Sequence, residues 1–168
     1  MRKSFLLVWL AMLIAGAGWA ASSRFIIDDG EYVDRVTHAG RKLLRQGKLV
    51  SFAALRKQPR PRHVALKPAA PAQEKIAPPE LYERLRESTL AVGSLYRCPD
   101  CDDWHFNGSA GFVMNEDGVI STCCHVVLAE DKAVKESYLI ATDSAGRVFP
   151  VTAILAADTE SDTCLLKI

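Results

Sequence analysis

Net charge is what this 168-residue chain has least of: 21 Lys+Arg stand against 20 Asp+Glu, a formal +1. A chain so balanced lacks the basic excess that holds a phosphate backbone, so no nucleic-acid partner is expected. Long hydrophobic runs are scarce too. The apolar stretch from Phe5 to Ile14 falls short of the ~20 residues that a membrane-spanning helix needs. Proline is nearly confined to one place, with six of the eight between residues 58 and 79. No cofactor-binding pattern stands out, and none is expected.

The charge that is present is unevenly spread. Residues 24–76 carry 12 Lys+Arg against 5 Asp+Glu, whereas residues 77–168 carry 7 against 15. The chain therefore reads as two bodies, a basic arm followed by an acidic folded unit. Its length suits one domain plus extras.

Residues 1–20 have the order of a secretory signal. Arg2 and Lys3 precede the apolar run, and Gly18-Trp19-Ala20 places small residues for cleavage before Ala21. The mature protein is then secreted or periplasmic. Left uncleaved, the same segment would be a membrane tether. No cysteine follows the cleavage site, which argues against a lipid anchor there.

Residues 21–57 read as a basic helical arm. Asp28 and Asp29 suit a helix start, Tyr32, Val33, Val36, Ala39, Leu43 and Leu44 recur at helical spacing, and Gly47 suits its stop. Ser51 suits the cap of a second short helix through Leu55. Arg35, Arg41, Lys42, Arg45 and Lys48 would serve a membrane-surface or partner-binding helix; the commoner arrangement is a solvated helix packed on its own protein. His38 and His63 have no companions at ligand spacing and read as surface residues. Residues 58–79, rich in Pro and Ala, read as an extended linker.

Residues 80–168 read as mainly β. A short helix begins near Pro79, and strands follow at Thr89–Tyr96, Phe112–Met114, Val119–Thr122, Ser137–Thr142, Arg147–Leu155 and Cys164–Ile168, about six in all. Asn115 to Gly118 and Asp143 to Gly146 carry turn chemistry. Asn107-Gly108-Ser109-Ala110-Gly111 is not G-x-S-x-G and precedes a strand, so it lacks the context of a nucleophile elbow. It reads as small residues where backbone passes close to a site.

Cys98-Pro99-Asp100-Cys101 leaves three chemistries open. An oxidising compartment favours a disulfide involving Cys98 or Cys101. The same C-x2-C pair is half a zinc site, with His105, Cys123 or Cys124 to complete it. Free thiols are the third. No βαβ pattern surrounds the pair as a thioredoxin-like motif would require. Asp100, Asp102 and Asp103 lack the spacing of a calcium loop and read as a solvated acidic turn. Cys164 falls at an apolar position and reads as core.

The remaining signals are His125, set between Cys124 and the apolar pair Val126-Val127, and Asp162, set where a polar turn enters the last strand. The run GSAGFVMNEDGVISTCCHVV resembles the segment around the catalytic histidine of trypsin-like serine proteases of the HtrA/Deg branch, and DTESDTCLLKI resembles the segment of their catalytic aspartate. The resemblance covers Leu81 to Ile168. It implies a chymotrypsin/trypsin-like antiparallel β-barrel, the first of two, with His125 as general base and Asp162 as its orienting carboxylate. It also implies unfolded or exposed polypeptide as substrate. Cys123 and Cys124 stand where this branch usually has small polar residues. The family's nucleophile motif, G-x-S-G-G, is absent from these 168 residues. The expectation is therefore the amino-terminal portion of a secreted serine endopeptidase, inactive by itself. The alternative is a non-catalytic barrel that binds or tethers, whose open sheet edge would invite a homo-oligomer.

Overall fold

The computed structural model describes residues 28–58, 64–67, 70–71, 74–128, 134 and 136–168. Residues 1–20, proposed as the signal, lie outside them, as do His63 and parts of the 58–79 stretch. Among the described residues no helix is long and apolar enough to cross a membrane.

Helix α1 spans Asp29–Arg45 and opens as its sequence requires, the Asp28 carboxylate accepting the Glu31 N–H at 2.9 Å. Asp29 and Glu31 lie in its first turn and Lys42 and Arg45 in its last, each complementing the helix dipole. Gly47, at φ +67°, follows the stop. Ser51 caps α2, Phe52–Arg56, by accepting the Ala54 N–H. Pro78 and Pro79 occupy the first turn of α3, Pro78–Ser88, where their missing N–H groups cost nothing.

Among the described residues seven strands then form one antiparallel sheet: β1 Thr89–Arg97, β2 Trp104–Val113, β3 Val119–Cys123, β4 Ser137–Thr142, β5 Val148–Pro150, β6 Ala153–Asp158 and β7 Thr163–Lys167. A five-residue helix, α4 (Cys124–Leu128), separates β3 from β4. The spatial order is β5-β4-β1-β2-β3-β7-β6. Its two outermost strands are consecutive in the chain, joined only by Val151 and Thr152. The Val151 N–H donates to Leu139 O of β4 and the Thr152 N–H to Lys167 O of β7. One bent segment thus pairs at its start with one end of the sheet and at its finish with the other, which curls the sheet into a barrel-like form.

This corner corrects the expected strand count. Arg147–Leu155 reads as one strand because Val148, Phe149, Val151, Thr152 and Ile154 favour β, but β5 ends at Pro150, which has no N–H to give a ladder, and the chain changes partners at Val151. Gln58 clasps the same corner, donating from Nε2 to Thr152 O and accepting the Ile154 N–H at Oε1. The stretch read as a linker therefore begins tied to the sheet.

Strand alternation places Leu90, Val92, Leu139 and Ala141 on one face, with Ile120, Cys164, Leu166, Val127 and Leu55 in the main core. Leu95 and Ile140 point to the other face, where Val36 of α1 covers them. The helix approaches closely at Gly40, where an added Cβ would lie 2.7 Å from Leu95. The basic segment is therefore packed on the sheet, in line with the commoner arrangement and contrary to a division into two bodies. Its cations occupy the exposed side of a helix whose apolar stripe is used.

Glycine is required where β1 meets β2. Gly93 faces Gly108 in register, and a Cβ on Gly93 would lie 2.0 Å from Asn107 O and 2.4 Å from Gly108 Cα. Backbone cannot yield as a flexible side chain can. Gly93→Ala is therefore expected to lose at least about 3 kcal/mol or to fail to fold. Gly47→Ala, with nothing within 4 Å of its Cβ, should lose only the ~1–2 kcal/mol of left-handed strain. Urea unfolding of both variants measures the difference.

Candidate active site

Three local structures deliver the site. The turn Asn115–Gly118 joins β2 to β3, with Asn115 Oδ1 accepting the N–H groups of Asp117 and Val119 and Gly118 at φ +73°. β3 ends at Cys123, and α4 begins at once, so His125 lies in a helical turn and not at the mouth of a strand. β2 also begins earlier than expected. Asn107 to Gly111 lie within it, paired with β1, so these small residues are strand and not its approach.

The third structure is the turn between β6 and β7. Asp158 anchors it by accepting the Glu160 N–H and the Ser161 hydroxyl. Asp162 then takes φ +52°, a left-handed conformation that Asp tolerates better than most residues. That conformation presents both ends of the residue to α4. Its carbonyl accepts the Cys124 N–H at 3.0 Å, Oδ1 accepts the His125 N–H at 2.9 Å, and Oδ2 lies 2.7 Å from His125 Nδ1. The two residues singled out by the sequence, 37 apart, are thereby brought into direct contact.

The electrostatics follow from this grip. The His125 backbone N–H, and after it the imidazole, hold the Asp162 carboxyl below the usual carboxylate range. An ionised Asp162 accepts at Nδ1, so the neutral imidazole carries its proton there and leaves Nε2 basic. The His125 side chain is 68% exposed and that of Asp162 45%, so the ring is open to a reacting group. Thr122, buried, donates its hydroxyl to Ala110 O at 2.9 Å and fixes β3 against β2 just before α4.

Cys123 is the neighbour that sequence reasoning did not place here. Its sulfur, the His125 ring and the Asp162 carboxylate have donor atoms within 4.8 Å of one another. Both Asp162 oxygens already accept hydrogen bonds from His125, so a metal would have to displace the pairing just described. Cys124 points into the core, as does Cys164; buried there, Cys124 is placed as a packing residue and not as a nucleophile.

A second cluster stands at the β1–β2 turn. Cys98, Cys101 and His105 also have donor atoms within 4.8 Å of one another. Cys98 and Cys101 are free thiols here and not a disulfide. Neither Cys123 nor Cys124 joins them, contrary to one expectation for completing a zinc site. The N–H groups of Cys101 and Asp100 pull the Cys98 thiol below its usual pKa. Cys101 receives the Asp103 N–H, yet its hydrogen bond to Cys98 leaves it raised.

Against known proteins, the chain matches no family model, and no curated protein matches it at a significant level.

The Asp162 geometry fixes the sign of a pH effect. A carboxyl whose folded pKa is depressed stabilises the fold above its unfolded pKa, and that contribution is lost as pH falls through the depressed value. Urea midpoints measured from neutral to acid pH should therefore fall, and less steeply for Asp162→Asn. Nitrogen NMR of His125 should show Nδ1 protonated in the neutral ring of the native protein, with that preference lost in Asp162→Asn.

Proposed function

We propose that this chain supplies the histidine and aspartate of a secreted Ser-His-Asp endopeptidase of trypsin-like, HtrA/Deg-type architecture. One observation carries the reading: the Asp162 carboxylate spans the His125 N–H and Nδ1 at 2.9 and 2.7 Å. A general base needs its ring held in one tautomer with Nε2 turned to the reaction, and this grip provides it. The barrel-like antiparallel sheet agrees with the first of two such barrels. In this reading His125 Nε2 takes the proton of a serine hydroxyl as that oxygen attacks a peptide carbonyl. Asp162 stabilises the resulting imidazolium, and His125 then returns the proton to the leaving amine. The serine, the oxyanion-stabilising N–H groups and the specificity pocket would come from outside these 168 residues.

A binding role is the second reading, favoured by Phe112 and Val113, apolar side chains 53% and 38% exposed on β2. The native gene product, isolated from its source and treated with a fluorophosphonate, separates the two. Under the proposal a serine is labelled, and His125→Ala slows labelling by at least about a thousandfold. Labelling unchanged by His125→Ala, or absent from the native protein, would overturn the protease reading in favour of binding.

A further inference from the structure

We infer that the β1–β2 turn is a metal site, in which Cys98, Cys101 and His105 bind a zinc-type divalent cation and lock the hairpin tip. The geometry comes from the turn itself. β1 ends at Arg97 and β2 starts at Trp104, in register across the hairpin, and the Cys98 N–H closes the loop on Asp103 O at 2.8 Å. Pro99 fixes its own φ immediately after the first cysteine. Asp102, at φ +59°, reverses the chain immediately after the second. The N–H groups of Asp100 and Cys101 are thereby aimed at the Cys98 sulfur, and that of Asp103 at the Cys101 sulfur.

His105 enters from β2. Its Nε2 lies 3.1 Å from Cys101 Sγ, and its ring packs against Tyr96, centroid to centroid 5.8 Å, which restrains it. Tetrahedral zinc with ordinary Zn–S and Zn–N bonds separates its donors by about 3.5–3.8 Å. The cluster, with all its donors within 4.8 Å, needs only sub-ångström to ångström adjustments of side chains, two of them on a surface turn. Cys2His supplies the soft and borderline donors that zinc prefers. Asp100, Asp102 and Asp103 surround the turn with negative charge, and Asp102 is ion-paired with Arg97 at 2.7 Å.

Binding replaces both thiol protons by metal–sulfur bonds and releases the protons to solvent, giving a neutral zinc–dithiolate–imidazole centre whose fourth position is open to water. The site is separate from His125 and Asp162. Thr122, just before α4, pairs with Gly111, six residues along β2 from His105, or roughly 20 Å at strand rise. A bound metal would thus clamp the far end of the β1–β2 hairpin. A disulfide in its place would join the loop to itself and leave His105 out.

The test is metal content and cobalt spectroscopy on the full chain purified without chelator. The expected result is one zinc per chain. On exchange, cobalt(II) should give thiolate-to-metal charge transfer in the near ultraviolet and the intense visible bands of a tetrahedral site. Cys98→Ser and Cys101→Ser should abolish both signals. His105→Ala should weaken binding by more than the roughly 10–100-fold typical of losing an outer-sphere partner. Cys123→Ser/His125→Ala, which removes the other cluster, should keep the full signal. The proposal fails if the reduced wild-type chain gives no cobalt–thiolate band, if peptide mapping of the native protein finds Cys98 bridged to Cys101, or if the signal is lost with Cys123 and His125.

Discussion

Asp162 has to leave ordinary backbone space to reach His125, and the geometry of the site depends on that one departure. An L-residue in the left-handed region costs about 1–2 kcal/mol. Here the cost is offset by three hydrogen bonds onto two consecutive residues of α4, from the Cys124 N–H, the His125 N–H and the His125 ring. With φ in the β region the carbonyl and carboxylate would point apart, and α4 would lose its anchor at the start. The strain is held in place by strand pairing on both sides: β7 pairs with β3 up to Cys123↔Thr163 and with β6 at Asp158↔Thr163. The turn has no room to relax, and a side chain nearly half exposed is still held in one pose.

The same economy governs the sheet. A small antiparallel sheet must either leave long edges or curl until its ends meet. The Val151–Thr152 corner brings the two ends toward each other by letting one segment pair with both, with Gln58 hydrogen-bonded to the bend. Curling forces neighbouring strands together somewhere, and the Gly93–Gly108 contact is where this sheet accommodates it. β3, β7 and α4 can then stand at fixed angles, which is what His125 and Asp162 require.

Much of this was legible in the sequence wherever local chemistry decides the outcome. Asp28, Ser51, Gly47, Asn115–Gly118 and Asp143–Gly146 each act through their own backbone neighbours, and each does what its residue type requires. His125 and Asp162 were legible only as a pair, through the resemblance of their flanking runs, because neither flank alone distinguishes a functional residue from a turn residue. What local chemistry could not reveal lies in long-range pairing. In Val148–Leu155 most residues favour β; Pro150 marks where the strand can break, and the hydrogen bonds to Leu139 and Lys167 decide that the chain changes partners there. Asn107–Gly111 looks like a loop because small residues resemble turn residues, yet a close-packed hairpin needs small residues in its strand. The basic helix looked separate because its charge contrasts with the rest, whereas Val36 and Gly40 carry the packing and carry no charge.

The two clusters of donor atoms differ in what already satisfies them, and that difference separates their chemistry. At Cys123, His125 and Asp162 the carboxylate is committed to His125 through both oxygens, one on the backbone N–H and one on the ring, so the imidazole is held in place. At Cys98, Cys101 and His105 two sulfurs and a ring nitrogen stand together, all three donor atoms within 4.8 Å of one another, with no carboxylate committed to the imidazole among the described residues. Arg97, the cation beside the turn, is paired with Asp102. The proposed divalent metal would draw these three donors together. The hairpin tip would then gain from a metal the kind of support that α1 gives β1 and β4, where Val36 covers Leu95 and Ile140.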